Sequence, residues 1–168
     1  FNNIGNIYYH QGDDPKALEY YTKSLKIKEE IADKLGMAMS YNSIGVIYHN
    51  QGDYVKALDF CTKGLKIKEE LGAIKVMTTS LVSIATIYKS QGDYAKALVY
   101  YSKSLKIVEE IGNKKGITYS LSGIGGIYYE QGNYAKAKNY SLRALTIAQE
   151  IGAPKEVTEA SIALSKIY

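Results

Sequence analysis

The sequence predicts an all-α protein, an α-α superhelix (a solenoid) of antiparallel helix pairs. Three observations predict it. Gly12, Gly52, Gly92 and Gly132 each fall 40 residues after the last. Around them the chain writes nearly the same phrase four times: IYYHQGDDPKAL, IYHNQGDYVKAL, IYKSQGDYAKAL and IYYEQGNYAKAK. Within each period, apolar residues recur at three- and four-residue steps, the spacing of one helix face. A recurrence of this length marks stacked supersecondary units, each leaving an apolar side for its neighbour to cover. An array of that kind builds a long regular surface, which suits holding other molecules better than transforming them.

The elements follow in order. In the second period a first helix is predicted from about Gly36 to Asn50, carried by Met37, Tyr41, Ile44, Ile47 and Tyr48. Gln51-Gly52 ends it, the glycine supplying the positive φ of a helix terminus. Asp53 offers an N-cap to the second helix. In the first period Pro15 stands just inside that start, where its missing N–H costs nothing. Along the second helix, Ala17, Tyr21 and Leu25 form one apolar flank, and Tyr20, Ser24, Ile27 and Ile31 form another. A helix apolar on two flanks must touch two neighbours, its own partner and the next repeat. Lys16, Glu19, Lys23, Lys26 and Glu30, repeated as Lys56, Asp59, Lys63, Lys66 and Glu70, read as a solvated outer stripe. Links of five residues (ADKLG, GAIKV, GNKKG and GAPKE) follow from Ala32, Gly72, Gly112 and Gly152. The repeats therefore run over about 1–32, 33–72, 73–112 and 113–152. Residues 153–168, with Val157, Leu164, Ile167 and Tyr168, read as the first helix of a fifth. The whole of 1–168 is expected to be one array, a fragment of a longer protein, with self-association through its apolar repeat ends as a consequence.

Composition narrows the function. The apolar fraction of 46% and charged fraction of 23% exclude a disordered chain. The net charge of +4 is interleaved along the chain, which gives no footprint for nucleic acid or a membrane surface. The single Cys61 cannot form an internal disulfide. No stretch approaches the ~20 apolar residues of a membrane span. The expected setting is cytoplasmic. Seventeen tyrosines recur mostly in register, which points to packing before ligand stacking.

The run IGNIYYHQGDDPKALEYYTKSL resembles a tetratricopeptide repeat. Its marks are the small residue at Gly5, Gly45, Ala85 and Gly125, the tyrosine at Tyr8, Tyr48, Tyr88 and Tyr128, and the alanine at Ala17, Ala57, Ala97 and Ala137. The usual period of that family is 34, against 40 here. The proline that commonly ends its second helix is replaced by Glu29, Glu69, Glu109 and Gln149. Both departures imply longer helices, similar to the long-repeat branch of Pins-type GoLoco adaptors, kinesin light chains and bacterial quorum-peptide receptors. The resemblance implies a concave wall of first helices that binds extended peptides, with asparagines gripping the ligand backbone. Carried over by position, the groove residues are Asn2, Asn6 and Tyr9, then Met39, Asn42, Val46 and His49. Thr79, Val82, Thr86 and Lys89 follow, then Tyr119, Ser122, Gly126 and Tyr129. An asparagine presents both a donor and an acceptor without charge, so Asn2, Asn6 and Asn42 can form a short polar ladder.

Other chemistries fare worse. No HExxH, CxxC or Gly-x-Ser-x-Gly stands in the chain. His10 and His49 can face the groove together, but no further ligands are predicted around them, so neither metal nor cofactor is expected. Cys61 falls on a buried flank and reads as a small core residue. The glycines of SGIGGIYYEQG are no phosphate loop, since no strand precedes them; Gly123 and Gly126 each cost about 1 kcal/mol in a helix interior. That cost suggests close helix packing, room for a partner, or simple tolerance. The groove cations Lys89, His10, His49 and Lys166 face Glu130 and Glu159, which makes no phosphate track. The reading is a non-enzymatic signalling scaffold that binds a peptide or protein segment. The alternative is an intramolecular module regulating an attached kinase, cyclase, protease or DNA-binding domain.

Overall fold

Eight three-residue turns repeat one piece of local chemistry. In the computed structural model, which describes residues 1–167, the first residue of each turn closes the helix before it. The second takes a positive φ, and the third starts the helix after it. Glycine fills the second place in every turn but one, with φ between 61° and 78°; Ala32 takes φ 54° in the remaining turn. Asp13, Asp33, Asp53, Asp93, Asn113 and Asn133 fill the third place. Each accepts a bond through its side-chain oxygen from the backbone N–H three residues on, at 2.9–3.2 Å. Such caps satisfy donors that a helix start leaves open.

Between the turns lie nine helices among the described residues: α1 (Asn2–His10), α2 (Asp14–Glu30), α3 (Lys34–Asn50), α4 (Tyr54–Glu70), α5 (Ile74–Ser90), α6 (Tyr94–Glu110), α7 (Lys114–Glu130), α8 (Tyr134–Glu150) and α9 (Pro154–Ser165). From α2 to α8 each is 17 residues long. One such helix and one turn make half a period, which is the physical origin of the 40-residue recurrence. Two expectations need correction here. The first helix of the second repeat starts at Lys34 rather than Gly36, and the five-residue links are three-residue turns. The Asp33 side chain bonds the Gly36 N–H at 2.9 Å, which draws Lys34 and Leu35 into the first helical turn. Tyr168 lies outside the described residues.

The chain divides into two compact units, Phe1–Ile87 and Tyr88–Tyr168, the division falling inside α5. In the first unit α1 packs on α2, α2 on α3 and α3 on α4. In the second, α6 packs on α7, α7 on α8 and α8 on α9, and α7 also touches α9. Of the second helices, α2 and α8 thus each meet two neighbours, as their two flanks require. Ala17, Ala57, Ala97 and Ala137 are wholly buried, letting the paired helices approach closely. Tyr21, Leu25, Ile44 and Ile47 complete the core around Ala17; Leu121, Ala144 and Ala160 form one in the second unit.

The second flank is partly corrected. Tyr20 is half-buried and Ser24 buried, but Ile27 and Ile31 are 39% and 66% exposed. The burial passes instead to the position held by Lys28, Lys68, Val108 and Ala148; the last three are buried. Eleven residues after Ala17, that position lies only about 20° past three full turns, whereas Ile27 has rotated well off the line. Ile31 lies past the last helical residue, Glu30.

The recurrent tyrosines serve packing. Tyr8 stacks on Tyr20, Tyr48 on Phe60, Tyr88 on Tyr100 and Tyr128 on Tyr140, with ring centroids 5.4–5.6 Å apart. Lys16, Lys56, Lys96 and Lys136 sit over the first ring of each pair at 4.9–5.1 Å. The outer stripe from Lys16 to Glu30 is exposed, as is that from Lys56 to Glu70 at the residues named above.

Candidate functional site

In the first unit, two recesses lie along the first helices. One, of about 250 Å³, is lined by Asn6, Tyr9, His10, Tyr21, Asn42, Ser43 and Val46. The other, of about 270 Å³, is lined by Tyr9, Val46, His49, Asn50, Val82, Ser83, Thr86 and Ile87. Tyr9 and Val46 belong to both. The helical period explains the grouping, since positions 42, 46 and 49 succeed one another along one face of α3.

Polar geometry distinguishes the asparagines. The Tyr21 hydroxyl donates to Asn6 Oδ1 at 2.8 Å, a bond that uses the amide oxygen of the exposed Asn6 and not its N–H groups. Burial raises the Tyr21 hydroxyl above its ordinary pKa, so it stays a donor. Asn42 Oδ1 is buried without a hydrogen-bond partner, and so is Asn2 Oδ1. A buried acceptor left unpaired costs roughly 1–3 kcal/mol. Asn2 lines neither recess. Thr86 turns its hydroxyl back to the Val82 carbonyl at 2.9 Å. The His49 ring is tilted against Tyr54, with centroids 5.8 Å apart. Thr79 and Met39 are exposed and lie outside both recesses.

The second unit carries a recess of about 150 Å³ lined by Lys89, Gly125, Gly126, Tyr129, Glu130, Ser141, Ala163, Lys166 and Ile167. Lys89 Nζ lies where a side chain on Gly126 would start, 2.8 Å from that point, so this glycine makes room for the ammonium. Tyr129 is tilted on Tyr134, centroids 5.6 Å apart. Tyr119 is engaged elsewhere: its hydroxyl donates to Glu156 Oε1 at 3.0 Å, with Lys115 over its ring. Burial and the Glu156 carboxylate push the Tyr119 pKa up to about 12. Ser122 is half-buried and lines none of these recesses. Gly123 has a packing reason, since a side chain there would collide with the Tyr101 ring.

The geometry thus gathers Asn6, Tyr9, Asn42, His49 and Thr86 along the first unit's recesses, and Lys89, Gly126 and Tyr129 in the second unit's. Asn2, Tyr119 and Ser122 stand apart. Sequence reasoning missed Tyr21, Ser43 and Ser83 as lining residues. Tyr21 looked purely apolar; the signal for its reach was Gly5, whose missing side chain admits the Tyr21 ring. Elsewhere the chemistry is quiet. Cys61 is wholly buried, and burial pushes its thiol up to about 12, so it is no nucleophile at neutral pH. Among the described residues no cluster of His, Cys, Asp or Glu is placed to hold a metal ion. Nor is any described helix long and apolar enough to cross a membrane.

A family model for the tetratricopeptide repeat matches residues 1–70 and 76–162. The chain belongs to that family, and its fold is that family's helical-repeat solenoid. Among solved structures it is similar to BtubC (BKLC) from P. vanneervenii, at 23% identity and a TM-score of 0.84, over 98% of this chain and 69% of that one. Aspartyl phosphate phosphatase F from Bacillus subtilis is 18% identical with a TM-score of 0.90, over 99% of this chain and 44% of that one. A signal transduction ATPase with numerous domains (STAND) from Pyrococcus horikoshii, a protein with a tetratricopeptide repeat sensor, is 25% identical with a TM-score of 0.83. That match covers 99% of this chain and 26% of the other. The chain therefore spans less than half the length of the last two. No curated protein matches the sequence.

Proposed function

We propose that this protein is a binding scaffold that holds an extended peptide or protein segment against the first helices of its repeats. The observation that carries the reading is the Asn42 side chain. Its Oδ1 is buried in the wall of a recess with no partner, beside an Asn6 amide whose own oxygen is already taken. Turned into the recess, the Asn42 side chain would take a peptide N–H, and the Asn6 amide a peptide C=O. Tyr9 and Val46 offer flat apolar contact next to them, and rigid aromatics anchor interfaces at low entropy cost. In the second unit, Tyr129, Gly126 and Lys89 line a recess that would take a segment in the same way. Asn2, Tyr119 and Ser122 stay in the proposal as flanking contacts.

The reading has the chain acting as one array over 1–168, in the cytoplasm, in a signalling role and without catalysis of its own. The inert Cys61 thiol supports the last point. Nucleic acid and membranes are not its partners in this reading, because the outer lysines are matched by acids such as Asp13, Asp53 and Asp93. Exposed Ile4 and Ile7 on α1, and Ile162 on α9, would support self-association.

A second reading, regulation of another domain in the same polypeptide, is favoured by the likeness to the STAND protein with its repeat sensor. Reading the whole gene separates the two. For the first reading, peptides would be selected on the wild-type protein by display, and their affinity measured for Asn42→Ala. A loss of about tenfold with thermal stability unchanged or raised supports the proposal. Equal affinity for both proteins removes Asn42 from the site.

A further inference from the structure

The second unit has another recess, of about 410 Å³, that shares no residue with the one just described. It is lined by Tyr128, Ala135, Lys136, Asn139, Tyr140 and Arg143. Its counterparts in the first two repeats are neutralised from within. There the two cations lying over the stacked aromatic pair each have an acid beside them: Lys16 with Asp13 and Lys23 with Glu19, then Lys56 with Asp53 and Lys63 with Asp59. The third repeat keeps Asp93 on Lys96 at 2.7 Å but has Val99 in place of the second acid. In the fourth repeat both acids become amides, Asn133 and Asn139. Asn133 still caps α8 through the Lys136 N–H at 3.2 Å, so the helix start survives while the charge is gone.

One cation is thereby left without a carboxylate, and the other loses the acid on its own helix. Lys136 Nζ rests on the Tyr128 ring at 4.9 Å, with no carboxylate paired to it among the described residues. Arg143 lies over Tyr140 at 5.9 Å, and its acid is Glu109 on α6, at 3.4 Å through one nitrogen. A guanidinium has five donors in a planar fork, so most of them remain for a second acceptor. The Asn139 amide adds a neutral donor between the two cations. The local balance is an ammonium and a guanidinium against one half-exposed carboxylate, over a floor of two stacked rings.

We infer that this recess docks carboxylate side chains of an acidic segment on a partner protein. Charge complementarity carries the assignment. Two exposed cations each lie over a ring face on the same recess, so an anion seated between them meets both. The site is distinct from the first-helix reading: Tyr128 lies on α7 but lines none of the first-helix recesses, and its other residues lie on α8.

Fluorescence anisotropy of a labelled hexaglutamate peptide against the whole chain tests it at low ionic strength. Saturable binding that weakens as salt rises is expected, with hexalysine unbound. Asn133→Asp/Asn139→Glu, which restores the pattern of the first two repeats, is expected to weaken hexaglutamate about tenfold. Aspartate also caps helices, so that variant keeps its fold, and circular dichroism checks this. Asn139→Glu alone is expected to give a smaller loss in the same direction. Conversely, Asp53→Asn/Asp59→Asn is expected to add a second hexaglutamate site in the second repeat. Unchanged binding by Asn133→Asp/Asn139→Glu, or no binding by the wild type, would overturn the proposal. Displacement of the peptide by inorganic phosphate but not by acetate at equal ionic strength would overturn the carboxylate assignment.

Discussion

Lys68 is 1% exposed, yet the groups its ammonium reaches are hydroxyls, Thr79 Oγ1 at 3.2 Å and Ser80 Oγ at 2.8 Å. Its counterpart Lys28 finds a carboxylate, Asp33, at 3.3 Å. In the second repeat the turn residue at that place is Ala73, so no acid follows, and Val108 and Ala148 later fill the position with apolar groups. Burial lowers the Lys68 pKa to about 8. Below that value both the folded and unfolded chains carry the proton, and the folded one bears the cost of a buried charge. Between about 8 and the ordinary 10.5 the unfolded chain binds more protons, so stability climbs with pH. Replacing Lys68 with methionine is therefore expected to stabilise the protein by about 2 kcal/mol at pH 7. The gain should shrink through pH 8 to 10.5 and vanish above it, as read by urea unfolding at several pH values. A loss of stability at pH 7 would contradict this account of the site. Nothing in the sequence marks Lys68, because lysines at two of four equivalent positions, Lys28 and Lys68, read as solvent-facing. The place of Asn42 on the first-helix face could be read because the resemblance pointed to it, but its unpaired oxygen could not, since that depends on which side chains fail to reach it.

At the scale of elements, what the sequence reveals is what local chemistry decides. The glycine and Asp/Asn of each turn act within three or four residues, so the turns and caps could be read directly. The start at Lys34 and the burial at the position of Lys68 are local too, set by the Asp33 cap and by the drift of the 3.6-residue period, and there the reading slipped; harder still are residues whose role a neighbouring helix sets. Gly123 is such a case. As a helix interior glycine it looked like a tolerated cost, but its place is taken up by the Tyr101 ring of α6 against α7. Gly123→Ala is expected to lower stability by about 1–2 kcal/mol, overpacking outweighing the helix propensity gained. In a Tyr101→Ser background, which copies Ser141 of the next repeat, the same change should raise stability. A double-mutant cycle by thermal unfolding reads both, and a stabilising Gly123→Ala in the wild type would remove the packing explanation.

For the molecule as a whole, repetition is what made the fold legible. Four copies of one phrase averaged out the local ambiguities that defeat a reading of any single helix, and the family match covers most of the chain. The site was harder, because a wall of equivalent positions is not a wall of equivalent contacts. Asn6 and Asn42 meet at one recess, whereas Tyr119 is drawn to Glu156 and Thr86 to its own helix. The central claim is that the extended segment of the proposed function lies against the first helices and not against the outer lysines of the second repeat. A photo-crosslinking amino acid placed at Val46, and separately at the exposed Lys63, tests it most directly with a peptide selected for binding. The account predicts a covalent adduct from position 46 and none from position 63; adducts from 63, or none from 46, would contradict it.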